Sequence, residues 1–253
     1  MRDSFSLAGK RILVTGGTRG IGRAISLRLA RAGAKVIANY VRNEEAAGTL
    51  GEEAKREGLE VEICRADITS QKGLRLLVEA IDSSNGILSA FVHCAATGVH
   101  RPFPELTARH LEWTFALNVR AFFELVQLIL PRMREGSSIL AVSSEGAVRA
   151  VPAYTLVGAS KGALEALARH LAVELAPRGI RVNILSPGSV LTEAWDAFPG
   201  KEGRLKEAIE RSPLGRLTTP DEVASVAQFL CSDAATGILG HTLVVDGGKS
   251  IVG

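Results

Sequence analysis

Two residues near the middle of the chain carry side chains that can work together in proton chemistry. Tyr154 and Lys161 stand seven positions apart in the stretch Ala-Tyr-Thr-Leu-Val-Gly-Ala-Ser-Lys, residues 153–161. An ammonium group near a phenol favours the charged form of the phenol, which makes it a better proton donor or acceptor near neutral pH. The chain has only one other tyrosine, Tyr40. The pair is therefore the first candidate for a catalytic site.

Helical spacing indicates how this pair is positioned. Residues 155–175 are predicted to form one long helix, because leucines recur at positions 164, 167, 171 and 175. A seven-residue step turns the side-chain direction by only about 20° and advances about 10.5 Å along the axis. Tyr154 is thus expected to reach the same cleft as Lys161 from the start of the helix, just after Pro152.

Composition excludes several classes of protein. The 253 residues are 46% hydrophobic with a formal net charge of +3, which suits one large α/β domain and makes nucleic acid a poor candidate partner. Cys64, Cys94 and Cys231 have no C-x-x-C spacing, as in a metal-free protein of a reducing compartment. No stretch has the length and apolarity of a membrane span or a signal peptide. We expect a cytoplasmic protein without membrane insertion.

Short apolar runs alternate with helical patterns along the whole chain. This alternation predicts a single α/β domain, residues 1–253, with a Rossmann-type, doubly wound, parallel, seven-stranded sheet and helices on both faces. A long helical segment is predicted from about Glu105 to Met133. The predicted strands are residues 11–15, 36–38, 61–64, 90–93, 138–142, 181–185 and 242–245.

The segment between Gly188 and Leu214 has no regular pattern and contains Pro199-Gly200 and many charged residues. It follows the carboxyl end of a predicted strand, where open α/β sheets bind ligands. We interpret residues 188–214 as a substrate lid, with an inert surface excursion as the alternative.

A glycine-rich turn joins the first strand to the first helix. It runs Thr-Gly-Gly-Thr-Arg-Gly-Ile-Gly, residues 15–22. Glycines let the backbone approach a pyrophosphate, whose charge the free N–H groups at the helix start can bind. The turn therefore predicts a dinucleotide site.

The end of the second strand bears on the choice of dinucleotide. NAD sites usually carry an acidic residue there, about 20 residues past the turn, but this chain reads Ala-Asn-Tyr-Val-Arg, residues 38–42. Arg19 and Arg42 can instead bind a 2′-phosphate. We therefore expect NADPH rather than NADH, although Glu44 and Glu45 weaken this expectation.

With these motifs the chain resembles the short-chain dehydrogenase/reductase superfamily over nearly its whole length. Asn118, in Ala-Leu-Asn-Val, matches the asparagine of that family, and Ser144 its catalytic serine. Val-Asp-Gly-Gly, residues 245–248, resembles its C-terminal strand, which implies a homotetramer. The catalytic residues implied are Asn118, Ser144, Tyr154 and Lys161. Two roles are open for Ser144: it either hydrogen-bonds the substrate or only ends the fifth strand. The cofactor-binding residues implied are Gly16, Thr18, Arg19, Gly20, Ile21, Gly22, Asn39, Tyr40, Arg42, Asp67, Ile68, Ala95, Ala96, Lys161, Pro187, Gly188, Val190 and Thr192.

The chain departs from the family pattern after the fourth strand. The family has Asn-Asn-Ala-Gly there, and this chain has His93-Cys94-Ala95-Ala96. We expect His93 and Cys94 to lie at a buried strand end, without a metal or nucleophilic role. The hydrogen bonds that hold the following loop must then come from elsewhere.

The second departure concerns the reaction. Most members have Tyr-x-x-x-Lys, whereas Val157 stands four residues before Lys161. Tyr-x6-Lys is the spacing of the enoyl-acyl-carrier-protein reductases, and residues 95–98, 101–102 and 163–167 resemble the NADPH-dependent type III enzymes. The resemblance implies reduction of the trans-2 double bond of an enoyl thioester in fatty-acid elongation, with the acyl chain on acyl carrier protein or coenzyme A. Tyr154 would stabilise the enolate and Lys161 would bind the nicotinamide ribose.

A carbonyl reductase of the same fold and a non-catalytic NADP(H)-binding regulator are the alternatives. Thr155, Ser160 and Glu165 are expected to be only helix caps or surface residues.

Overall fold

The computed structural model describes residues 3–83, 86–193 and 200–252. Within them, one parallel sheet contains seven strands in the order β3-β2-β1-β4-β5-β6-β7. The order reverses at β1, which lies between β2 and β4, and ligands bind at the carboxyl ends of the strands beside such a point. The predicted fold class is confirmed. The strands are β1 (Arg11–Thr15), β2 (Lys35–Tyr40), β3 (Val61–Arg65), β4 (Ala90–His93), β5 (Ser138–Val142), β6 (Arg181–Pro187) and β7 (Thr242–Val245).

Helices cover both faces of the sheet because successive strand residues point to opposite sides. On β1, Leu13 belongs to one buried cluster with Phe122 and Leu164, whereas Val14 belongs to a second cluster with Leu29. Strands buried on both faces are near-continuous apolar runs, as their sequences are. The helices are α1 (Gly20–Arg31), α2 (Glu44–Arg56), α3 (Gln71–Asp82), α4 (Ala108–Phe115), α5 (Ala121–Ile129), α6 (Thr155–Leu175), α7 (Lys201–Glu210) and α8 (Pro220–Cys231).

The helical segment predicted from about Glu105 to Met133 is not one regular helix. A π-helical turn, Ala116–Arg120, separates α4 from α5, and single-turn 3-10 helices flank the pair. The expectation that no stretch has the length and apolarity of a membrane span was wrong for Ala108–Arg132, which passes by length and composition a test that core helices also pass. Phe122, Leu125 and Ile129 are fully buried. One face of this stretch is therefore packed in the core.

The prediction that residues 188–214 are irregular was wrong for residues 201–210, which form α7. The ion pairs between Lys206 and Glu210 (3.9 Å) and between Glu207 and Arg211 (3.3 Å) lie along the helix at i,i+4 spacing, which supports helix formation. The charges that suggested a loop thus stabilise a helix. Residues 194–199 of the proposed lid lie outside the described residues.

Candidate functional site

The candidate site lies along the carboxyl edge of the sheet. The glycine-rich turn follows β1, residues 94–102 follow β4, Ser143 and Ser144 follow β5, and Gly188 follows β6. Carboxyl ends of parallel strands share one edge, so the fold brings together motifs that are far apart in sequence.

Tyr154 lies beside Ser144 at this edge. Its hydroxyl donates a hydrogen bond to Ser144 Oγ at 3.3 Å, and that oxygen also accepts from the Gly146 backbone N–H at 3.3 Å. The two hydroxyls are close enough to act on one substrate oxygen. Burial raises the pKa of Tyr154, and the Ser144 hydrogen bond opposes this effect.

The backbone at Tyr154 corrects the helical argument. Tyr154 is the residue before α6, with φ −121° and ψ 12°, and the helix begins only at Thr155. A tight turn places it instead: its N–H donates to the Val151 carbonyl at 3.2 Å, and Ala153 between them has φ 58°. A residue with positive φ after a proline is typical of a type II turn. The turn, rather than a shared helix face, therefore brings Tyr154 to the cleft.

Lys161 is buried on α6, with its side chain directed at the end of β5. Nζ donates to the carbonyl oxygen of Val142 at 2.7 Å. Burial lowers the pKa of Lys161 to about 8, and Cys94 and Glu165 oppose this shift. A lysine so placed can donate hydrogen bonds in the cleft and change its charge in a mildly alkaline range.

Asn118 supplies hydrogen bonds that hold the loop after β4. The sequence predicts that such bonds come from outside that loop, because the Asn-Asn pair of the family is absent. It is fully buried in the π-helical turn. Its Oδ1 accepts from the Thr97 N–H, and its Nδ2 donates to the Thr97 carbonyl, both at 2.9 Å. Nδ2 also donates to Ser160 Oγ at 2.8 Å. One side chain thus ties the loop after β4 to α6.

Two residues that were expected to be caps or surface are buried. Ser160 is 0% exposed and donates to the Val157 carbonyl at 2.7 Å. Glu165 is 4% exposed and accepts a hydrogen bond from Ser143 Oγ at 2.6 Å. The bonds from Ser143 to Glu165 and from Asn118 to Ser160 join residues 22 and 42 positions apart, so no local sequence pattern indicated them.

His93 lies at a buried strand end, as predicted. It is 0% exposed, and its Nδ1 lies 3.0 Å from Thr15 Oγ1. Burial, followed by the charge of Lys161, lowers the pKa of His93 to about 3, which outweighs the opposing effect of the backbone at Leu117 and Asn118. Burial also raises the pKa of Cys94 to about 11. A neutral imidazole and a protonated thiol fit packing rather than nucleophilic chemistry.

The glycine-rich turn fits a dinucleotide phosphate. No side chain caps the start of α1, so its first N–H groups can bind an anion. A Cβ on Gly22 would lie 2.0 Å from the Gly16 carbonyl oxygen, and one on Gly16, which has φ 64°, would lie 2.9 Å from the Ala95 Cα. The turn is therefore as tight as a close approach to pyrophosphate requires.

Beside the turn is a cleft of about 310 Å³. Arg19 lies in it and pairs with Glu193 at 3.8 Å. Arg42, the second arginine expected to bind a 2′-phosphate, is exposed and lies outside this lining, next in sequence to the lining residue Asn43. The lining residues are Thr18, Arg19, Gly20, Arg23, Asn43, Glu45, Ala46, Thr49 and Glu193.

Three of the predicted cofactor residues have side chains engaged elsewhere. The Asn39 side chain is 1% exposed and donates to the Ala66 carbonyl at 2.8 Å. Ile68 is 1% exposed in the core. Asp67 Oδ1 accepts from the backbone N–H and hydroxyl of Thr69 at 2.9 and 2.7 Å. For Asn39 and Ile68 only the backbone is available to a cofactor.

The segment after β6 borders the opposite side of the cleft. Pro187 ends the strand, and Gly188 packs so tightly that a Cβ would lie 2.5 Å from Asp246 Cβ. Val190 is buried, and Thr192 lies near Gly20, where a Cβ would be 3.6 Å from its side chain. The segment therefore lies close to the start of α1, beside the glycine-rich turn.

The family can be assigned from comparison with known proteins. A family model described as enoyl-(acyl carrier protein) reductase matches residues 16–250. The chain belongs to the short-chain dehydrogenase/reductase superfamily. A curated relative, 1-cyclohexenylcarbonyl-CoA reductase from Streptomyces collinus, is 37% identical over 242 residues, which are 95% of this chain and 86% of the relative.

Two solved structures share the fold over nearly the whole of both chains. A 7α-hydroxysteroid dehydrogenase complexed with NADH and 7-oxo glycochenodeoxycholic acid is 34% identical, with a TM-score of 0.92 and coverage of 98% and 97%. A gluconate 5-dehydrogenase from Burkholderia cenocepacia in complex with NADP and tartrate is 29% identical, with a TM-score of 0.91 and 99% of each chain covered. This superfamily member is thus an oxidoreductase, and its neighbours support a nicotinamide cofactor.

Sequence reasoning missed one residue that lies against the candidate phenol of this oxidoreductase. The ring of His100 stacks on the ring of Tyr154, with centroids 5.5 Å apart and planes at 27°. The two residues are more than fifty positions apart, and no motif links them. Their contact follows from the crossing of the β4 loop over the turn before α6.

Proposed function

We propose that the protein is an NADPH-dependent reductase of the trans-2 double bond of enoyl thioesters. The observation that carries this proposal is the pairing of Tyr154 with Ser144 at 3.3 Å, while Val157, four residues before Lys161, is buried. The phenol is present at the cleft, but it enters from a different backbone position.

The displacement has a chemical reason. In a ketone, hydride adds to the carbon that is bonded to the oxygen receiving the proton. In a 2-enoyl thioester, hydride adds to the β-carbon, and negative charge develops on the carbonyl oxygen two carbons away. A group that stabilises that oxygen must therefore lie further from the site of hydride addition. A phenol moved from position 157 to position 154 meets this requirement.

The chain's own residues can be assigned roles on this basis. A bound nicotinamide would supply a hydride ion, one proton with two electrons, to the β-carbon. Tyr154, supported by Ser144, would hydrogen-bond the enolate oxygen. The negative charge of the enolate is lost when its α-carbon takes up a proton from solvent. Lys161 binds the ribose hydroxyls, and Asn118 fixes the loop after β4 and the start of α6.

The preference for NADPH is part of the proposal. Arg19 lies in the cleft beside the glycine-rich turn, and no acidic residue ends β2. A guanidinium group there binds a 2′-phosphate better than a free hydroxyl. Glu45 and Glu193 also line the cleft, so Arg19 must exchange its pairing with Glu193 for the phosphate.

One curated relative supports a thioester among the substrates open to this fold. The Streptomyces collinus relative is a reductase of 1-cyclohexenylcarbonyl-CoA, a thioester whose carbonyl is conjugated with a double bond. We extend the proposal to an acyl-carrier-protein or coenzyme A thioester in fatty-acid elongation, in the cytoplasm, with residues 188–214 as the lid. Trp113, Phe123 and Leu128, on α4 and α5, are 44, 42 and 39% exposed, and we propose that a second copy of the chain packs on this face within a homotetramer.

The test is a substrate screen. Purified protein is incubated with crotonyl and acetoacetyl thioesters, each with NADPH and with NADH, and cofactor oxidation is followed together with product analysis. We expect oxidation of NADPH with crotonyl thioester and its loss in Tyr154→Phe. Oxidation with the acetoacetyl compound alone would make the protein a carbonyl reductase.

The other alternative is a non-catalytic NADP(H)-binding regulator. It predicts tight NADPH binding without turnover of either thioester. Full activity of Tyr154→Phe would overturn the assignment of the phenol even if the reduction itself were observed.

A further inference from the structure

The contact between His100 and Tyr154 has the geometry of a positioning device. The two rings are stacked rather than edge-on, at 5.5 Å and 27°. Such contacts between aromatic rings stabilise a structure beyond the effect of the area they bury. His100 belongs to the loop after β4, so a segment that borders the cleft acts directly on the candidate phenol.

Tyr154 needs such a contact because it is outside the helix. Its φ and ψ are not helical, so the regular backbone of α6 does not orient the side chain. Gly146 and Gly158 border the ring: a Cβ on Gly146 would lie 2.6 Å from ring carbons Cδ1 and Cε1, and one on Gly158 would lie 3.7 Å from Cδ1. His100 adds a side-chain contact to this backbone boundary.

Arg204 of helix α7 contacts the turn before Tyr154 and also affects the charge state of His100. Arg204 Nη1 donates to the carbonyl of Pro152 at 3.4 Å, two residues before Tyr154. Burial lowers the pKa of His100, and the positive charge of Arg204 adds to the effect. The imidazole beside the phenol is therefore neutral at physiological pH, although an imidazolium over a ring would gain cation–π attraction.

Charged groups of other segments also border the pair. Glu145, in the turn after β5, acts on the Tyr154 phenol, and Lys249 from the C-terminal segment pairs with Glu145 at 2.8 Å. Arg101, next to His100 in the chain, is exposed. Among these charges, Glu145 acts on Tyr154, whereas Arg204 acts on His100.

We infer that His100 is a positioning residue for the Tyr154 phenol, whose ring it holds by stacking so that the hydroxyl is directed at Ser144. This inference rests on the proposed function only where it concerns the rate of reduction; the contact itself can be tested without substrate. Protonation of His100 places a second positive charge near Arg204, so we expect activity to fall as pH decreases through the pKa of His100, which lies below its usual value of about 6.5.

The experiment compares His100→Ala with His100→Phe, which retains an aromatic face but cannot be protonated. With crotonyl thioester and NADPH we expect kcat of His100→Ala to fall about 10- to 100-fold with little change in KM, because a small displacement of a catalytic group is costly. His100→Phe is expected to stay within about threefold of wild type, because stacking is retained. It should also lack the decrease at acid pH. Equal losses in both variants, or none in His100→Ala, would overturn the inference.

A second measurement requires no turnover. In a Tyr40→Phe background, tyrosinate absorbance reports Tyr154 alone. We expect the pKa of Tyr154 to remain raised in His100→Phe and to move toward its usual value in His100→Ala, since the ring becomes accessible to water. An unchanged pKa in His100→Ala would contradict the inference. If this titration behaves as expected but no thioester is reduced, the positioning contact stands and the proposed function fails.

Discussion

The side chain of Val157 lies directly against the bare α-carbon of Gly98. A Cβ on Gly98 would be 2.0 Å from Val157 Cγ2, and Val157 is 5% exposed. The position four residues before Lys161 is thus a packed contact between α6 and the loop after β4. It is not an open slot from which a tyrosine has been lost.

This contact predicts a strong coupling between the two residues. Gly98→Ala should destabilise the protein by about 1–3 kcal/mol, because the added methyl group overlaps a β-branched side chain that cannot move away. Val157→Ala makes room for that methyl, so the double variant should be more stable than the sum of the single effects. Denaturant unfolding of the four proteins measures the coupling. Strictly additive free energies would show that the two side chains do not meet.

Lys161 predicts the alkaline limit of activity. Burial lowers its pKa to about 8, so kcat/KM should fall as pH rises through about 8 and the ammonium is lost. Glu165→Gln removes a carboxylate that favours the charged form, and should move this limit to lower pH. A rate constant that stays level in alkaline solution until the protein unfolds would contradict the assignment.

Lys161 affects the stability of the fold in the opposite sense: the free energy of unfolding should rise with pH where activity falls. Between pH of about 8 and about 10.4 the unfolded chain retains the lysine proton, whereas the folded protein has lost it. The contribution of Lys161 to the free energy of unfolding should therefore increase with pH across this interval. Below pH of about 8 the buried charge lowers stability. Comparison of wild type with Lys161→Met, by thermal unfolding at several pH values, isolates the contribution.

Arg19 and Arg42 separate two models of cofactor selection. Arg19→Ala should raise the KM for NADPH roughly 10- to 100-fold, the loss expected for a charge-assisted hydrogen bond, and should change the KM for NADH little. Arg42→Ala is the control, since Arg42 does not line the cleft. Steady-state kinetics with both cofactors gives the four comparisons. The opposite pattern, with a larger effect at Arg42, would place the 2′-phosphate elsewhere.

Ala153 predicts a stabilising substitution. Among the described residues it is the one non-glycine residue with positive φ, at 58°. Because its Cβ is strained in this region, Ala153→Gly should stabilise the protein by about 0.5–1 kcal/mol. Ala159→Gly, at an exposed position within α6, should destabilise it by about 1 kcal/mol. Thermal unfolding distinguishes the two, and a decrease at both positions would remove the strain argument.

The elements of the fold could be predicted because their patterns are local. Buried parallel strands are short apolar runs, so all seven were located from sequence. Helix α7 was missed because its charged residues pair with one another along the helix, and the π-helical turn at Asn118 was missed because it replaces one hydrogen-bond pattern with another inside an unbroken apolar segment.

The site was predictable in its motifs and not in its contacts. Spacing and resemblance predicted Tyr154, Lys161, Ser144 and Asn118 as site residues, and the structure brings Tyr154 next to Ser144. The stacking of His100, the burial of Glu165 against Ser143, and the absence of Arg42 from the cleft depend on how distant segments cross. No period or motif in one segment contains that information.

Tyr154 and Lys161 are held by different parts of the backbone, because a turn carries Tyr154 and helix α6 carries Lys161. Lys161 is built into a long helix and anchored to β5, whereas the phenol belongs to the connection between β5 and that helix. Insertions, deletions or single substitutions in residues 145–154 can therefore move the phenol along the substrate while the lysine stays in register with the sheet. A protein with this fold can therefore accept a substrate of different geometry after changes in the short connection between β5 and α6 alone, while its sheet and helices stay the same.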